Sequence, residues 1–190
     1  MSANPAAMDF LLTRRSRPAK MLQAPAPDGA QLLPLLQAAA RVPDHGKLEP
    51  WRFVVLERAA CARLAPMIAA RGAEQGIAEE KALKAAATFA QTPLVVAVVA
   101  SPKPSDKIPE IEQTLSVGAV CLGLVNAALA SGWGANWLTG WVASDRAILQ
   151  EMGLAPQEWV AGFVHIGTAQ ATPPDRPRPD IAALTTWIRE

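Results

Sequence analysis

A run of seven apolar residues, Leu94 to Ala100, follows Pro93 and constrains the fold more than any other segment of the chain. Valine supplies most of this run, and β-branched side chains favour strands over helices. Successive side chains of a strand point to opposite faces of the sheet, so a strand that is apolar throughout must be covered on both faces. We therefore predict a central strand in a sheet that is flanked by helices.

The remaining elements do not follow the regular strand–helix–strand order of a parallel sheet. Hydrophobic spacing predicts further strands at residues 51–57, 136–139 and 159–168, and helices at residues 8–13, 28–41, 59–70, 78–89, 110–131 and 144–152. No Gly-x-Gly-x-x-Gly motif follows a strand, which disfavours a dinucleotide-binding fold of the Rossmann type. The pattern predicts an α+β fold with a central, mainly antiparallel sheet.

Length predicts one domain, and charge disfavours a nucleic-acid partner. The chain has 190 residues, about half of them apolar, which is enough for one complete core. We predict a single domain over residues 1–190, with a flexible tail at 1–7 and an extended, proline-rich segment at 171–190. The net charge of +1 gives no broad basic surface, so we expect no nucleic-acid partner.

The sequence predicts neither membrane insertion nor a metal site. The apolar stretch at residues 115–130 is shorter than the roughly 20 residues that a spanning helix needs, and we interpret it as a buried helix. No secretory signal is evident at the N-terminus, so we expect a cytoplasmic protein. Cys61 and Cys121 match no zinc or redox spacing, and we interpret both as buried thiols.

Three arginines and a serine lie together at Arg14-Arg15-Ser16-Arg17. Guanidinium groups bind phosphate oxygens in pairs, and a serine hydroxyl can donate to a third oxygen, so this cluster is suited to a phosphate dianion. The alternative is a solvated helix end, where cations are favoured by the helix dipole and exposed ion pairs contribute little. The cluster by itself leaves both interpretations open.

A second segment supports the phosphate interpretation. It contains Arg41, the tripeptide Pro43-Asp44-His45, and Pro50-Trp51. Together the two segments resemble the nitroreductase family, whose members carry Arg-Arg-Ser after a first helix and Arg-x-Pro-x-x-x-x-x-x-Pro-Trp before a first strand. The resemblance extends along nearly the whole chain, and the Pro-Asp-His tripeptide is similar to that of the short-chain, YdjA-type branch.

The resemblance implies a flavin-binding homodimer. In that family FMN lies at the interface of an intertwined homodimer, and a long helix such as 110–131 lies in the dimer core. Arg14, Arg15 and Ser16 would hold the phosphate and ribityl end of FMN, while Arg41 and His45 would come from the other subunit. The segment Trp137-Leu138-Thr139 matches the part of the family that lines the flavin. An ordinary core tryptophan at position 137 is the alternative.

The family chemistry takes place at the flavin N5 atom and needs no side-chain nucleophile. The resemblance implies hydride transfer from NAD(P)H and ping-pong reduction of nitroaromatic, quinone or related flat acceptors. A flavin carrier or sensor without NAD(P)H turnover is the alternative, because no nicotinamide-specific motif is present. A hydrolase with Ser16, His45 and Asp44 is disfavoured, because adjacent Asp44 and His45 are poorly placed to orient each other.

Some residues depart from the family pattern or receive no role. Lys47 and Glu49 stand where asparagine and glutamine are commoner, which leaves the polarity around the flavin ring open. Arg176 and Arg178 lie among prolines, and no phosphate role is assigned to them. His165 lies within an apolar strand pattern, which indicates an outward-facing or a hydrogen-bonded structural histidine and not a catalytic one.

Overall fold

The central strand is buried along its whole length, as predicted. In the computed structural model, which describes residues 2–189, every residue of Leu94–Ala100 is buried. The terminal residues Met1 and Glu190, which belong to the predicted tail and C-terminal segment, lie outside the described residues. The strands are β1 (Leu22–Gln23), β2 (Trp51–Glu57), β3 (Leu94–Ala100), β4 (Gly134–Leu138) and β5 (Trp159–Ala169).

All strand pairs are antiparallel, which confirms the predicted type of sheet. β3 lies between β2 and β5, so that Ala97 is opposite Val54 on one side and Phe163 on the other. β5 is the longest strand and also pairs with β4 and with β1. The two-residue β1 was not predicted, because a segment this short has no periodicity to detect.

Within residues 2–189, six α-helices flank the sheet, and each was predicted with at least one end shifted. They are α1 (Pro5–Thr13), α2 (Gly29–Ala39), α3 (Arg58–Glu74), α4 (Glu79–Gln91), α5 (Glu110–Ala130) and α6 (Arg146–Glu151). The predicted capping box at the start of α2 is present: the Asp28 carboxylate accepts from the Gln31 N–H, and the Gln31 side chain accepts from the Asp28 N–H. α2 continues through Pro34.

The two faces of β3 belong to two separate hydrophobic clusters. Val96 and Val98 pack with α2 and α5, whereas Val95, Ala97 and Val99 pack with side chains of α3, α4 and α6. Each buried valine contributes roughly 1.5 to 3 kcal/mol relative to an exposed one. The alternating apolar side chains of β3 therefore require a layer of helices on each face of the sheet.

Helix α5 has one buried and one exposed face. By length and composition it could cross a membrane. However, Val117, Val120 and Leu124 are fully or almost fully buried in the core with α2 and the sheet. A Cβ added at Gly123 would lie 3.1 Å from Ala39 backbone atoms, so the small residue permits the close α2–α5 contact. The prediction of a core helix is correct for this face.

Both cysteines are buried and free, as predicted. Burial raises the pKa of the Cys61 thiol to about 11 and that of Cys121 to about 12. A thiol with such a pKa remains protonated near neutral pH and is a poor nucleophile. These residues therefore belong to the core.

His165 on β5 is a buried structural residue, in agreement with the sequence interpretation. Its Nδ1 lies 3.0 Å from the Thr92 hydroxyl, and that hydroxyl donates to the Thr88 carbonyl at 2.7 Å. Because the hydroxyl proton is already used, the histidine Nδ1–H donates to Thr92 Oγ1. Burial lowers the pKa of His165 from 6.5 to about 4. The fold therefore requires a neutral imidazole.

We expect His165 to make stability fall as the pH decreases from 6.5 towards 4. The unfolded chain binds a proton in this range and the folded chain does not, so protonation favours unfolding. The pKa difference corresponds to about 3 kcal/mol when it is fully developed. His165→Phe keeps a planar ring but cannot titrate, so its free energy of unfolding should decrease less over the same range. Urea unfolding at several pH values tests this, and parallel curves for both proteins would contradict it.

Candidate functional site

The predicted arginine cluster directly follows the first helix. α1 ends at Thr13, and Arg14 has an extended backbone conformation. The Arg17 N–H donates to the Ala135 carbonyl of β4 at 2.8 Å, which ties the segment to the sheet. The helix end and this backbone contact hold the basic segment beside the first residues of β4.

The arginines of this segment have few partners for their donors. The Arg14 Nη2 donates to Ser16 Oγ at 3.2 Å, and the Arg15 Nη2 donates to the Pro174 carbonyl at 3.0 Å. The Nε atoms of Arg14 and Arg15 are buried and make no hydrogen bond to any described residue. Arg15 Nε lies 3.5 Å from Asp175 Oδ1, which is an ion-pair distance without hydrogen-bond geometry. Buried unsatisfied donors are costly and are typical of a site that binds an acceptor.

A cavity of about 550 Å³ adjoins these arginines, and we call it the arginine cavity. It lies between α1, the end of α5, and the last residues of β5. Its lining consists of Phe10, Thr13, Arg14, Arg15, Arg17, Leu129, Gly132, Trp133, Gly134, Thr168, Ala169, Gln170, Ala171 and Thr172. Ser16 is not part of this lining and is connected to it through Arg14.

Positive charge is concentrated at the arginine cavity. Burial lowers the pKa of Arg14, and the charges of Arg178 and Arg15 lower it further. A guanidinium group nevertheless stays protonated in proteins. The cluster therefore contains mutually repelling cations that a bound anion would stabilise.

The C-terminal segment adds an ion pair to this cluster. Asp175 Oδ1 accepts from the Arg178 Nη2 at 2.6 Å. The hydrogen bond from Arg178 is the main cause of a lowered Asp175 pKa. Neither Arg178 nor Arg17 was predicted to bind the cofactor, although Arg17 belongs to the basic cluster and lines the cavity. The occurrence of two arginines in a proline-rich stretch was the available signal for Arg178.

The residues at the end of β4 form a second group. The Trp137 Nε1 donates to the Ala161 carbonyl at 3.2 Å, and its side chain is 38% exposed, so it is not an ordinary core tryptophan. Leu138 and Thr139 are exposed. The backbone N–H groups of Thr139 and Gly140 donate no hydrogen bond within residues 2–189. These free main-chain donors are suited to a ligand acceptor at the sheet edge.

A cavity of about 370 Å³ lies between this edge and α4, and we call it the lysine cavity. Its lining consists of Lys81, Lys84, Ala85, Thr88, Leu138, Thr139, Gly140, Trp141 and Val142. No function was predicted for the α4 residues, because charged residues on a helix usually form a solvated face. Only the tertiary structure brings them to Leu138 and Thr139.

Arg41 and His45 are found away from both cavities. His45 Nδ1 lies 2.7 Å from Glu112 Oε2 on α5, and these two side chains line a cavity of about 270 Å³. That cavity has no lining residue in common with the arginine cavity or the lysine cavity. Arg41 is exposed just beyond the end of α2. The eight residues predicted to bind the cofactor therefore lie in separate groups within one chain.

The loop between Asp44 and Glu49 has an unusual backbone. Lys47 and Glu49 have positive φ angles of 54° and 49°, which are uncommon for residues other than glycine. The Asp44 carboxylate accepts from the Leu48 N–H at 3.1 Å and from the Glu49 N–H at 2.9 Å, and it thereby stabilises this conformation. Asp44 thus holds the loop, while His45 pairs with Glu112 instead. This arrangement does not form the Ser16–His45–Asp44 hydrolase site.

Among residues 2–189, no group of three or more His, Cys, Asp and Glu side chains is arranged to hold a metal ion. The site offers cationic and N–H donors on two sides of β4. Such donors bind anionic and carbonyl-containing ligands.

Comparison with known sequences assigns the chain to one family. The profile of the nitroreductase family matches residues 11–168. The chain is 39% identical over 163 residues to a Haemophilus influenzae protein named "Putative NAD(P)H nitroreductase", covering 85% of this chain and 88% of that protein. It is 34% identical over 165 residues to "Putative NAD(P)H nitroreductase YdjA" of Escherichia coli K12, covering 86% and 88%.

Solved structures have the same fold. A nitroreductase-like family protein from Bacillus cereus gives a TM-score of 0.80 at 22% identity, covering 99% of this chain and 98% of that chain. A Desulfovibrio desulfuricans protein described as a putative nitroreductase in complex with FMN gives a TM-score of 0.75 at 18% identity, covering 99% of both chains. These comparisons confirm the fold predicted from the sequence.

The position of Trp137 depends on the absence of a side chain at Gly162. A Cβ at residue 162 would lie 2.0 Å from Trp137 Nε1, so Gly162→Ala should displace the indole from β5. We expect a loss of roughly 1 to 3 kcal/mol, as for other overpacked sites. Gly29→Ala is a matched control, because nothing lies within 4 Å of its added Cβ. Urea unfolding of both variants tests this, and equal stabilities would show that Trp137 can move freely.

Proposed function

The chain belongs to the nitroreductase family, and we propose that it is an FMN-dependent oxidoreductase. In this proposal it takes hydride from NAD(P)H and reduces nitroaromatic compounds, quinones or related flat acceptors by a ping-pong mechanism. The family membership supports the oxidoreductase class. The cytoplasmic location expected from the sequence remains a prediction.

The observation that carries the FMN proposal is the pair of buried, unsatisfied Nε donors of Arg14 and Arg15 beside a cavity of about 550 Å³. A phosphate dianion would supply acceptors for these donors and neutralise part of the cationic cluster. Arg17 lines the same cavity and adds positive charge. The residues present therefore fit the phosphate end of FMN.

The end of β4 fits the other part of the cofactor. The free N–H groups of Thr139 and Gly140 can donate to carbonyl oxygens and ring nitrogens of an isoalloxazine. Trp137 and Leu138 supply exposed apolar surface for a flat ring. When bound, FMN would supply the hydride-transfer chemistry, while these residues would orient its ring and limit access of water.

We also propose that the functional unit is a homodimer. Large exposed apolar side chains are found on α1, on the outer face of α5 and near the C-terminus: Met8, Leu11, Leu12, Ile111, Leu115, Leu122, Ile181, Leu184, Trp187 and Ile188. Many large exposed apolar side chains are typical of a protein that forms a subunit interface. A second subunit would supply the Arg41 and His45 that one chain keeps apart from the arginine cavity.

We expect the double substitution Arg14→Ala, Arg15→Ala to reduce FMN binding. Charge-assisted hydrogen bonds contribute roughly 1.5 to 3 kcal/mol each, so the dissociation constant should increase by about a hundredfold or more. Arg58→Ala, Arg63→Ala removes the same charge from exposed positions on α3 and serves as the control. Flavin content after desalting and fluorescence titration measure the effect. Equal retention in both double variants would remove Arg14 and Arg15 from the site.

If the site spans two subunits, a change that dissociates the dimer should also release FMN. Leu115→Glu introduces a charge on the exposed face of α5, where the side chain is 65% exposed in one subunit. Leu83→Glu is a control at a residue of α4 that is 53% exposed. We expect a monomer with little flavin for Leu115→Glu, measured by sedimentation and absorbance. A monomer that retains all its FMN would contradict the shared site.

The reaction itself is tested by anaerobic addition of NADH or NADPH to the FMN-loaded protein. Rapid bleaching of the flavin band followed by reoxidation with a quinone would support the proposed oxidoreductase. Parallel double-reciprocal plots are expected for the ping-pong mechanism. Retained flavin that neither nucleotide bleaches would favour the carrier or sensor function instead.

A further inference from the structure

The lysine cavity combines positive charge with an apolar wall. Lys81, Lys84 and Thr88 lie on one face of α4, because residues three, four and seven positions apart are neighbours on a helix. Across the cavity lie Leu138, Gly140 and the other residues that follow β4. The cationic groups therefore lie beside the proposed position of the flavin ring.

Neither lysine forms an ion pair with the residues that the structure describes. Within residues 2–189, no carboxylate lies within ion-pair distance of Lys81 or Lys84. Two like charges at this spacing repel each other and destabilise a helix slightly. A ligand with negative charge would remove this repulsion.

The opposite wall contains one further donor. The Trp141 Nε1 is buried and has no hydrogen-bond partner among the described residues. Trp141 also lines the lysine cavity, so this unpaired donor is a feature of the cavity wall that does not depend on the lysines.

We propose that the lysine cavity binds the diphosphate group of the nicotinamide dinucleotide donor, with Lys81 and Lys84 as its counter-charges. The proposal rests on the proposed function. Two lysines match the two negative charges of a diphosphate. The sequence contains no glycine-rich dinucleotide motif that would hold these phosphates. A bound diphosphate here would direct the nicotinamide towards Leu138 and the flavin ring.

Equilibrium binding tests the lysines without electron transfer. FMN-loaded protein would be titrated calorimetrically with ADP, which carries the diphosphate, and with adenosine, which does not. We expect Lys81→Gln, Lys84→Gln to weaken ADP binding by about tenfold or more, which is the effect of losing one strong charge-assisted contact. The control Lys103→Gln, Lys107→Gln loses the same charge on a loop outside the cavity and should bind ADP like the unchanged protein. Equal ADP binding by both double variants would overturn the proposal.

Trp141→Phe tests the opposite wall, since it keeps an aromatic ring and removes only the N–H donor. ADP binding should weaken severalfold, while adenosine binding should not change. An unchanged ADP affinity would remove Trp141 from the proposed site.

Stopped-flow reduction of the flavin tests whether the lysines interact with the charged part of the dinucleotide donor. With NADH and NADPH, the double lysine variant should show a lower second-order rate constant by about tenfold. With the uncharged donor 1-benzyl-1,4-dihydronicotinamide, its rate should equal that of the unchanged protein. An equal decrease with both donors would mean that the lysines act through the flavin, and would overturn the proposal.

The remaining alternative is that the lysines recognise an anionic electron acceptor and not the dinucleotide. Dithionite-reduced enzyme would be mixed with 4-nitrobenzoate or with uncharged nitrobenzene. If the lysine variant slows only 4-nitrobenzoate and leaves NAD(P)H unaffected, the cavity recognises an anionic acceptor and the dinucleotide proposal is wrong. If no nucleotide reduces the unchanged protein while ADP binding still depends on the lysines, the proposed function fails and the diphosphate site remains.

Discussion

The burial of β3 on both faces is the constraint on which the rest of the structure depends. Because its alternating side chains are all apolar, one helical layer must cover each face of the sheet. The backbone groups of a buried strand also need partners on both edges, which β2 and β5 provide. β5 in turn pairs with β4 through residues 163–167 on the edge opposite β3, and its last residues, 168 and 169, pair with β1. The central strand therefore determines where the outer strands can lie.

The groups available to a ligand are located where this regular pairing ends. The last residues of β4 and the turn after it contain free N–H donors at Thr139 and Gly140. The arginine segment follows the end of α1 and is tied to β4 through Arg17. Sheet edges and helix ends leave backbone and side-chain groups without internal partners, so they can bind a ligand without breaking the core.

The structural cations form ion pairs with carboxylates, whereas the cations proposed to bind ligands keep donors or charges without such a partner. Arg52 donates to both carboxylate oxygens of the buried Glu158, and this hydrogen bonding is the main cause of a Glu158 pKa of about 2. Arg71 pairs in the same way with Asp145, which also caps α6. By contrast, Arg14 keeps an unsatisfied buried Nε, and Lys81 and Lys84 have no described counter-charge. A paired cation stabilises the fold, whereas an unpaired one in a cavity retains charge for an anion.

The sequence by itself determined the α+β class, the buried strand, the six helices and the basic segment at residues 14–17, because each depends on local periodicity or on a short motif. It did not determine β1, whose two residues have no pattern and form a strand only because β5 offers an unpaired edge. The approach of Arg178 to Arg14, and of Lys81 and Lys84 to Leu138, was decided only by the tertiary structure. These pairs are far apart along the chain, and their proximity results from how the helices and the C-terminal segment pack around the sheet.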